Sequence, residues 1–166
     1  MSLVFPTDLT SQADNTIIRQ DWGEPNWLLA FKNNGTKLHF GVENTSGTNF
    51  SLEYTISPSD FENSWHHITG NYDGENMNLY LDGILVASQI ASGNVAFAGN
   101  NDNNPYLSIG SHPGYGTYSI ENFHGHIDEV SIWNKSLSDS EIQTHMSTSP
   151  IGSEEGLVGY WKSDAG

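Results

Sequence analysis

The chain has 166 residues, with 20 acidic and 5 basic side chains, a net charge of −15, 36% hydrophobic residues and no cysteine. That charge repels polyanions at long range and so speaks against nucleic acid as a partner, while the apolar fraction speaks against global disorder. There is no disulfide, no thiolate zinc site and no apolar run long enough to span a membrane, so membrane insertion is not expected. The length suits one domain over residues 1–166, and the acidity suits divalent cations or simple solubility. No basic-then-apolar leader opens the chain, which reads as one module of a larger protein.

Taken in order, Leu3, Val4 and Phe5 end a strand at Pro6, because proline cannot donate to a ladder. Thr16 to Gln20 is a short strand, followed by a loop from Asp21 to Pro25 that carries Trp22. Trp27–Lys32 and Lys37–Glu43 are strands joined by Asn33-Asn34-Gly35, a hairpin signal. Phe50 to Ile56 alternates Phe50, Leu52, Tyr54 and Ile56 on one face, a half-buried strand, and Ser57 to Asp60 is a loop.

A meander follows. From Trp65 to Tyr72, Trp65, His67, Thr69 and Asn71 face one way, and His66, Ile68, Gly70 and Tyr72 the other. Asp73-Gly74 breaks the run, Met77, Leu79 and Leu81 alternate in a second strand, and Asp82-Gly83 turns into a third from Ile84 to Ala87. Such a meander must bury one face on another layer. Ser92 to Asn104 is a long Asn-rich loop, Tyr106 to Gly110 a strand, Ser111 to Asn122 a second loop, and Phe123 to Trp133 a long strand. Ser138-x-x-Glu141 is a capping box that starts a helix over about Ser138 to Met146. The tail from Glu155 to Asp164 holds a last apolar stretch, Leu157-Val158-Gly159-Tyr160-Trp161.

Two blocks carry a family resemblance. Trp65-His66-His67-Ile68, Tyr72-Asp73-Gly74 and Leu79-Tyr80-Leu81-Asp82-Gly83 resemble the central signature of laminin-G-like domains, relatives of pentraxins and concanavalin-type lectins and glucanases. Phe123-x-Gly125-x-Ile127-Asp128-Glu129-Val130-x-Ile132-Trp133-Asn134, then Leu137-Ser138-x-x-Glu141-Ile142, is similar to that family's closing segment. The blocks span roughly residues 15 to 147. The resemblance implies an all-β, antiparallel jelly-roll sandwich of the concanavalin A-like type with one short C-terminal helix. In that family further strands precede the one that ends at Pro6, and Gly156-Leu157-Val158-x-Tyr160-Trp161 resembles the opening strand. Residues 154–166 therefore either close this sandwich, the favoured reading, or begin a next copy.

Chemistry follows from the same residues. A glucanase of this fold would need paired carboxylates across the scissile bond, and no Glu-x-Asp-x-Glu run is present. No Gly-x-Ser-x-Gly elbow stands with a His/Asp partner set either, so no enzyme is expected and a glycosidase ranks third. His124-x-His126-x-Asp128 would present three metal ligands on one strand face, but the resembling family varies at both histidines, so zinc is disfavoured. His66 and His67 are read as packing or hydrogen-bonding residues.

Calcium fits better, since it takes carboxylate, amide and backbone oxygens. The resemblance implies a structural site at Asp128 with Asp164, although Ser163 and Ala165 depart from the family's pattern beside Asp164. The alternative is that Asp128 caps backbone N–H groups. A second, loop calcium reading falls on Asn101, Asp102 and Asn103, with Asp73 and Glu75 near. Sugar binding wants an exposed aromatic: Trp22, Tyr115 and Tyr118 lie in loops and are assigned that role, while Trp65, Trp133 and Trp161 are assigned to the core. The expected function is non-catalytic binding of a glycan or cell-surface ligand, possible calcium dependence included, by a module of a secreted or surface-attached bacterial protein. Cysteine-free sequence fits that origin better than animal extracellular modules. The runner-up is a structural or protein-adhesion domain.

Overall fold

The computed structural model describes residues 1–22, 24–96, 106–111 and 121–163. Its strands are β1 (Ser2–Pro6), β2 (Asn15–Trp22), β3 (Glu24–Lys32), β4 (Lys37–Glu43), β5 (Asn49–Thr55), β6 (His66–Tyr72), β7 (Asn76–Leu81), β8 (Ile84–Ile90), β9 (Tyr106–Ile109), β10 (Gly125–Asp128), β11 (Val130–Trp133) and β12 (Leu157–Trp161). Two helices, α1 (Pro58–Phe61) and α2 (Asp139–Ser147), complete it. One five-stranded antiparallel sheet runs β10-β1-β6-β7-β8, the other β5-β4-β3-β2-β9. β11 keeps β1 on one edge, where the Ser131 N–H donates to Met1 O at 2.9 Å, and takes β12 along the other. The protein is an all-β jelly-roll sandwich with a short helix near its C-terminal end.

Period-two patterning places the core. Ile18, Leu29, Phe40 and Leu52 lie side by side across four strands of one sheet and are all buried. Opposite them stand Val4, Ile68, Met77 and Leu79 from the other sheet, in the same apolar cluster. Each fully buried side chain of this size contributes about 1.5–3 kcal/mol. Gly70 shares that inner face, and a Cβ added there would lie 2.6 Å from the Phe40 ring. The absence of a side chain at Gly70 is thus what admits Phe40. Gly35 works similarly at the β3–β4 turn: its φ of 74° is in the left-handed region, and a Cβ would sit 2.5 Å from the Leu9 Cβ.

The outer face of β6 carries Trp65, His67, Thr69 and Asn71, as the alternation predicts. Helix α2 covers part of it through Ile142 and Leu137, which pack with Tyr80 in a second apolar cluster. Two polar clamps hold the helix down. The buried Asn71 amide donates to Leu137 O at 2.8 Å and accepts from Leu137 N at 3.1 Å. The Tyr80 hydroxyl donates to Asp139 Oδ1 at 2.7 Å; burial, then this carboxylate, pushes the phenol up to about 12. The capping box is present: Ser138 Oγ accepts from Glu141 N, and Glu141 Oε2 accepts from Ser138 N.

Several expectations need correction. Within the expected Asp21–Pro25 loop, Asp21, Trp22, Glu24 and Pro25 are strand, because the β2–β3 ladder continues through Asp21↔Pro25 to Trp22↔Glu24. Residues Ser57 to Asp60 do not form a simple loop, since Pro58 at the first helical position starts the single turn α1. The third meander strand runs on to Ile90. The long strand from Phe123 splits at Glu129, whose φ of 50° breaks the extended run. Trp65 and Trp161 are not core: they are 46% and 39% exposed, Trp65 because the outer face on which it stands is only partly covered, and Trp161 because, paired with Val130 on the inner side, it stands at the mouth of an open space between the sheets.

The Phe40–Gly70 contact yields a direct expectation. Gly70→Ala should destabilise the fold by about 1–3 kcal/mol through overpacking, read as a lower urea midpoint.

Candidate functional site

Of the residues assigned to ligand binding from the sequence, Asn101, Asp102, Asn103, Tyr115, Tyr118 and the metal candidate Asp164 lie outside the described residues. Trp22 is placed by its backbone, at the C-terminal end of β2. The points where the two loop segments attach are described. Tyr106 opens β9 beside Asp21 of β2, and Glu121 returns to β2 through an ion pair with Arg19 at 2.9 Å. The second segment therefore joins the sandwich along the β2–β9 edge, and the first runs to that edge from Ala96, whose N–H donates to Glu43 O at the end of β4 at 2.8 Å.

A polar row lies on the same sheet. His39 on β4 stands between Glu53 and Ala30, with Nδ1 3.3 Å from Ser51 Oγ and 3.6 Å from Glu53 Oε1. Burial, with Lys32 adding in the same direction, lowers His39 to about 4 and keeps it neutral. At Gly41, next along that face, a Cβ would come 2.9 Å from His39 Nε2.

The opposite sheet carries an aromatic platform. β1 lies between β10 and β6, and register places Phe5 directly beside His126. Trp65, one residue before β6, closes the row: its ring centroid lies 5.4 Å from Phe5 and 6.5 Å from His126, and Phe5 is 5.9 Å from His126. Trp65 and His126 are both exposed. Sequence reasoning missed this group because Trp65 belongs to the fold signature; its odd-numbered parity with His67, Thr69 and Asn71 was the signal that it faces outward.

Beside the platform, His66 stacks on Phe61 at 4.5 Å, donates through Nδ1 to Asp82 Oδ2 at 2.9 Å, and meets Ser64 Oγ at 3.1 Å through Nε2. The chain thus does bring a Ser, a His and an Asp into series, which the sequence did not reveal because pairing of β6 with β7 makes the contact. Asp82 Oδ1 also accepts the His67 N–H at 2.8 Å, so the carboxylate anchors the β7–β8 turn. The Ser64 hydroxyl also donates to Phe61 O at 3.2 Å.

Among the described metal candidates, each has protein partners. Asp128 Oδ1 accepts from Glu129 N at 2.7 Å and Ser163 N at 2.9 Å, so it caps backbone N–H groups and pins β12 to the break after β10. His124 meets Ser11 Oγ at 2.9 Å, and His126 belongs to the platform. Among the described residues no three His, Asp or Glu side chains are grouped to hold a metal ion. Among the same residues no helix is long and apolar enough to cross a membrane.

Sheet order, register and the central meander define a lectin-type jelly roll. The chain belongs to the laminin-G-like family described as the concanavalin A-like lectin/glucanases superfamily, whose model matches residues 4–143. Among solved structures, it is similar to a candidate carbohydrate-binding protein of Bacteroides ovatus, with 22% identity and a TM-score of 0.75 over 97% of this chain and 43% of the other. It is also similar to the heptameric SAP-like pentraxin of Limulus polyphemus, with 14% identity and a TM-score of 0.63 over 99% of this chain and 78% of that one. Mouse pappalysin-1 is 31% identical over 84 residues, 51% of this chain, which spans only 5% of that protein's length.

The buried histidines make stability depend on pH. Burial lowers His67 from 6.5 to about 4, and His39 moves likewise. The unfolded chain takes up protons near 6.5 that the folded chain refuses, so the histidines' contribution to stability is full above that pH and is lost as pH drops toward 4. A calorimetric melt should show the midpoint declining from neutral to about pH 4.5, and His67→Phe should flatten that decline. An unchanged slope in His67→Phe would place the proton uptake elsewhere.

Proposed function

We propose that this chain is a non-catalytic carbohydrate-binding module of a larger extracellular protein, and that the Trp65–Phe5–His126 platform is where a sugar ring stacks. The observation that carries this is Trp65 itself, a large aromatic left 46% exposed yet held at a fixed tilt by Phe5. A pre-ordered apolar surface ringed by polar groups suits the C–H face of a pyranose, which needs flat contact and hydrogen-bonding neighbours. His124 with Ser11, and His126, supply such neighbours. The carbohydrate-binding description attached to the Bacteroides ovatus relative supports the same class of ligand. Residues 154–166 are read as part of this sandwich, since β12 pairs along β11.

A second reading, protein adhesion, is favoured by one observation. β8 is an edge strand without a charged residue, and Ile84, Leu85 and Ile90 on it are exposed. Such an edge can pair with a strand from a partner.

Glycan-array binding followed by calorimetry tests the first reading. Trp65→Ala should weaken the best glycan by about tenfold or more, with the melting midpoint little changed. If Trp65→Ala binds normally while Trp22→Ala or Tyr115→Ala does not, the sugar site lies on the β2–β9 edge instead. Calcium dependence is part of the proposal through Asp128 and Asp164. Metal-stripped protein should then melt higher in calcium, reversibly with EDTA, and Asp128→Asn should lose the rise; no rise in the unmutated chain removes calcium from the account.

A further inference from the structure

Among the described residues, the sandwich is not filled at one end. A cavity of about 380 Å³ lies between the sheets, bounded by Ile18 of β2, Trp27 of β3, Phe40 of β4 and Trp161 of β12. It is separate from the platform, since neither Trp65 nor Phe5 nor His126 lines it. Its volume falls at the low end of the range of small-molecule pockets, about 300–1,000 Å³. Trp161 is both a wall residue and exposed, so it stands at the mouth. Its ring lies over Gly159, where a Cβ would come 2.4 Å from the indole.

The charge of the wall narrows the occupant. The chain has 20 acidic residues, yet among the described residues no carboxylate lines the cavity. Lys135 at its edge is neutralised by Glu141 at 2.6 Å, and this amine is the main reason Glu141 is held down at about 2. The Gln20 amide faces the same space, with its Oε1 holding Trp27 Nε1 at 2.7 Å. An apolar wall with uncharged amides accepts an uncharged guest, whereas a carboxylate would be desolvated without a free cation and repelled by a chain of net charge −15.

We propose that this cavity is a second binding site, for a neutral and mostly apolar molecule carrying one hydroxyl, of which a medium-chain alcohol is the simplest. The guest lies between the sheets, with its chain against Ile18 and Phe40 and an indole at either side.

Decanol titrated into the full chain, followed by indole fluorescence and calorimetry, tests this. Saturable one-site binding is expected, with decanoate weaker by about tenfold or more at low ionic strength. Val158 and Leu107 line the cavity and are exposed, so Val158→Trp and Leu107→Trp should fill it without disturbing the core. Each should weaken decanol by about tenfold or more while keeping the far-ultraviolet dichroism of the unmutated chain. Trp65→Ala should bind decanol normally, which separates this site from the sugar platform. Unsaturable partitioning, equal binding of decanoate, or full binding by whichever of the two filling variants folds would overturn the proposal.

Discussion

Much of this molecule follows from the Phe40 ring lying on the backbone of Gly70. Two twisted sheets must bring their inner faces within side-chain reach, and a bulky ring on one strand needs a place without a Cβ on the other. Phe40 sits in the row of Ile18, Leu29 and Leu52, and Gly70 in the row of Leu79 and Ala87, so this contact ties the middle of one sheet to the middle of the other. Ile68 and Met77 then fall into the same cluster as Leu38 and Phe31. The cavity lies in the same layer, with Phe40 and Gly70 both in its wall.

With most of the inner faces committed to the core, the outer ones are left to meet solvent, and the two differ. On one sheet the outer positions hold charged and imidazole groups, His39 with Glu53 and Arg19 with Glu121. On the other, β1 acts as a spacer that lines up rings from β10, β1 and the start of β6. Helix α2 covers the neighbouring part of that face because Asn71 supplies Leu137 with both a donor and an acceptor. A buried backbone segment left without those partners would cost about 1–3 kcal/mol per group. That face is thus covered where Asn71 holds the segment before the helix and exposed at Trp65 and His126.

Much of the fold was legible. Alternation along β6 and β7, the Asn33-Asn34 and Asp82-Gly83 turns with their positive φ, and the capping box at Ser138 each state a local requirement that only a few residue types meet. The split at Glu129 was not legible, because what sets it is the Asp128 carboxylate gathering N–H groups from Glu129 and from Ser163, 35 residues on. The burial of the tryptophans was misjudged for a related reason. Hydrophobicity says that Trp65 and Trp161 prefer to be covered, but cover depends on what packs over them: among the described residues the outer face at Trp65 is only partly covered, and Trp161 stands at the mouth of the cavity.

What this sequence by itself determined is the antiparallel sandwich and its turns, since period, chirality and the backbone tolerance of Asn, Asp and Gly act over a few residues. Only the tertiary structure decided which aromatic residues form a surface. Phe5, Trp65 and His126 are separated by 60 and 61 positions in sequence and meet because β1 pairs with β10 on one side and β6 on the other. It alone also decided that the space between Trp27, Phe40 and Trp161 stays open. Pattern specifies which way a side chain points, whereas the volume enclosed between two layers depends on how far apart every opposing residue holds them.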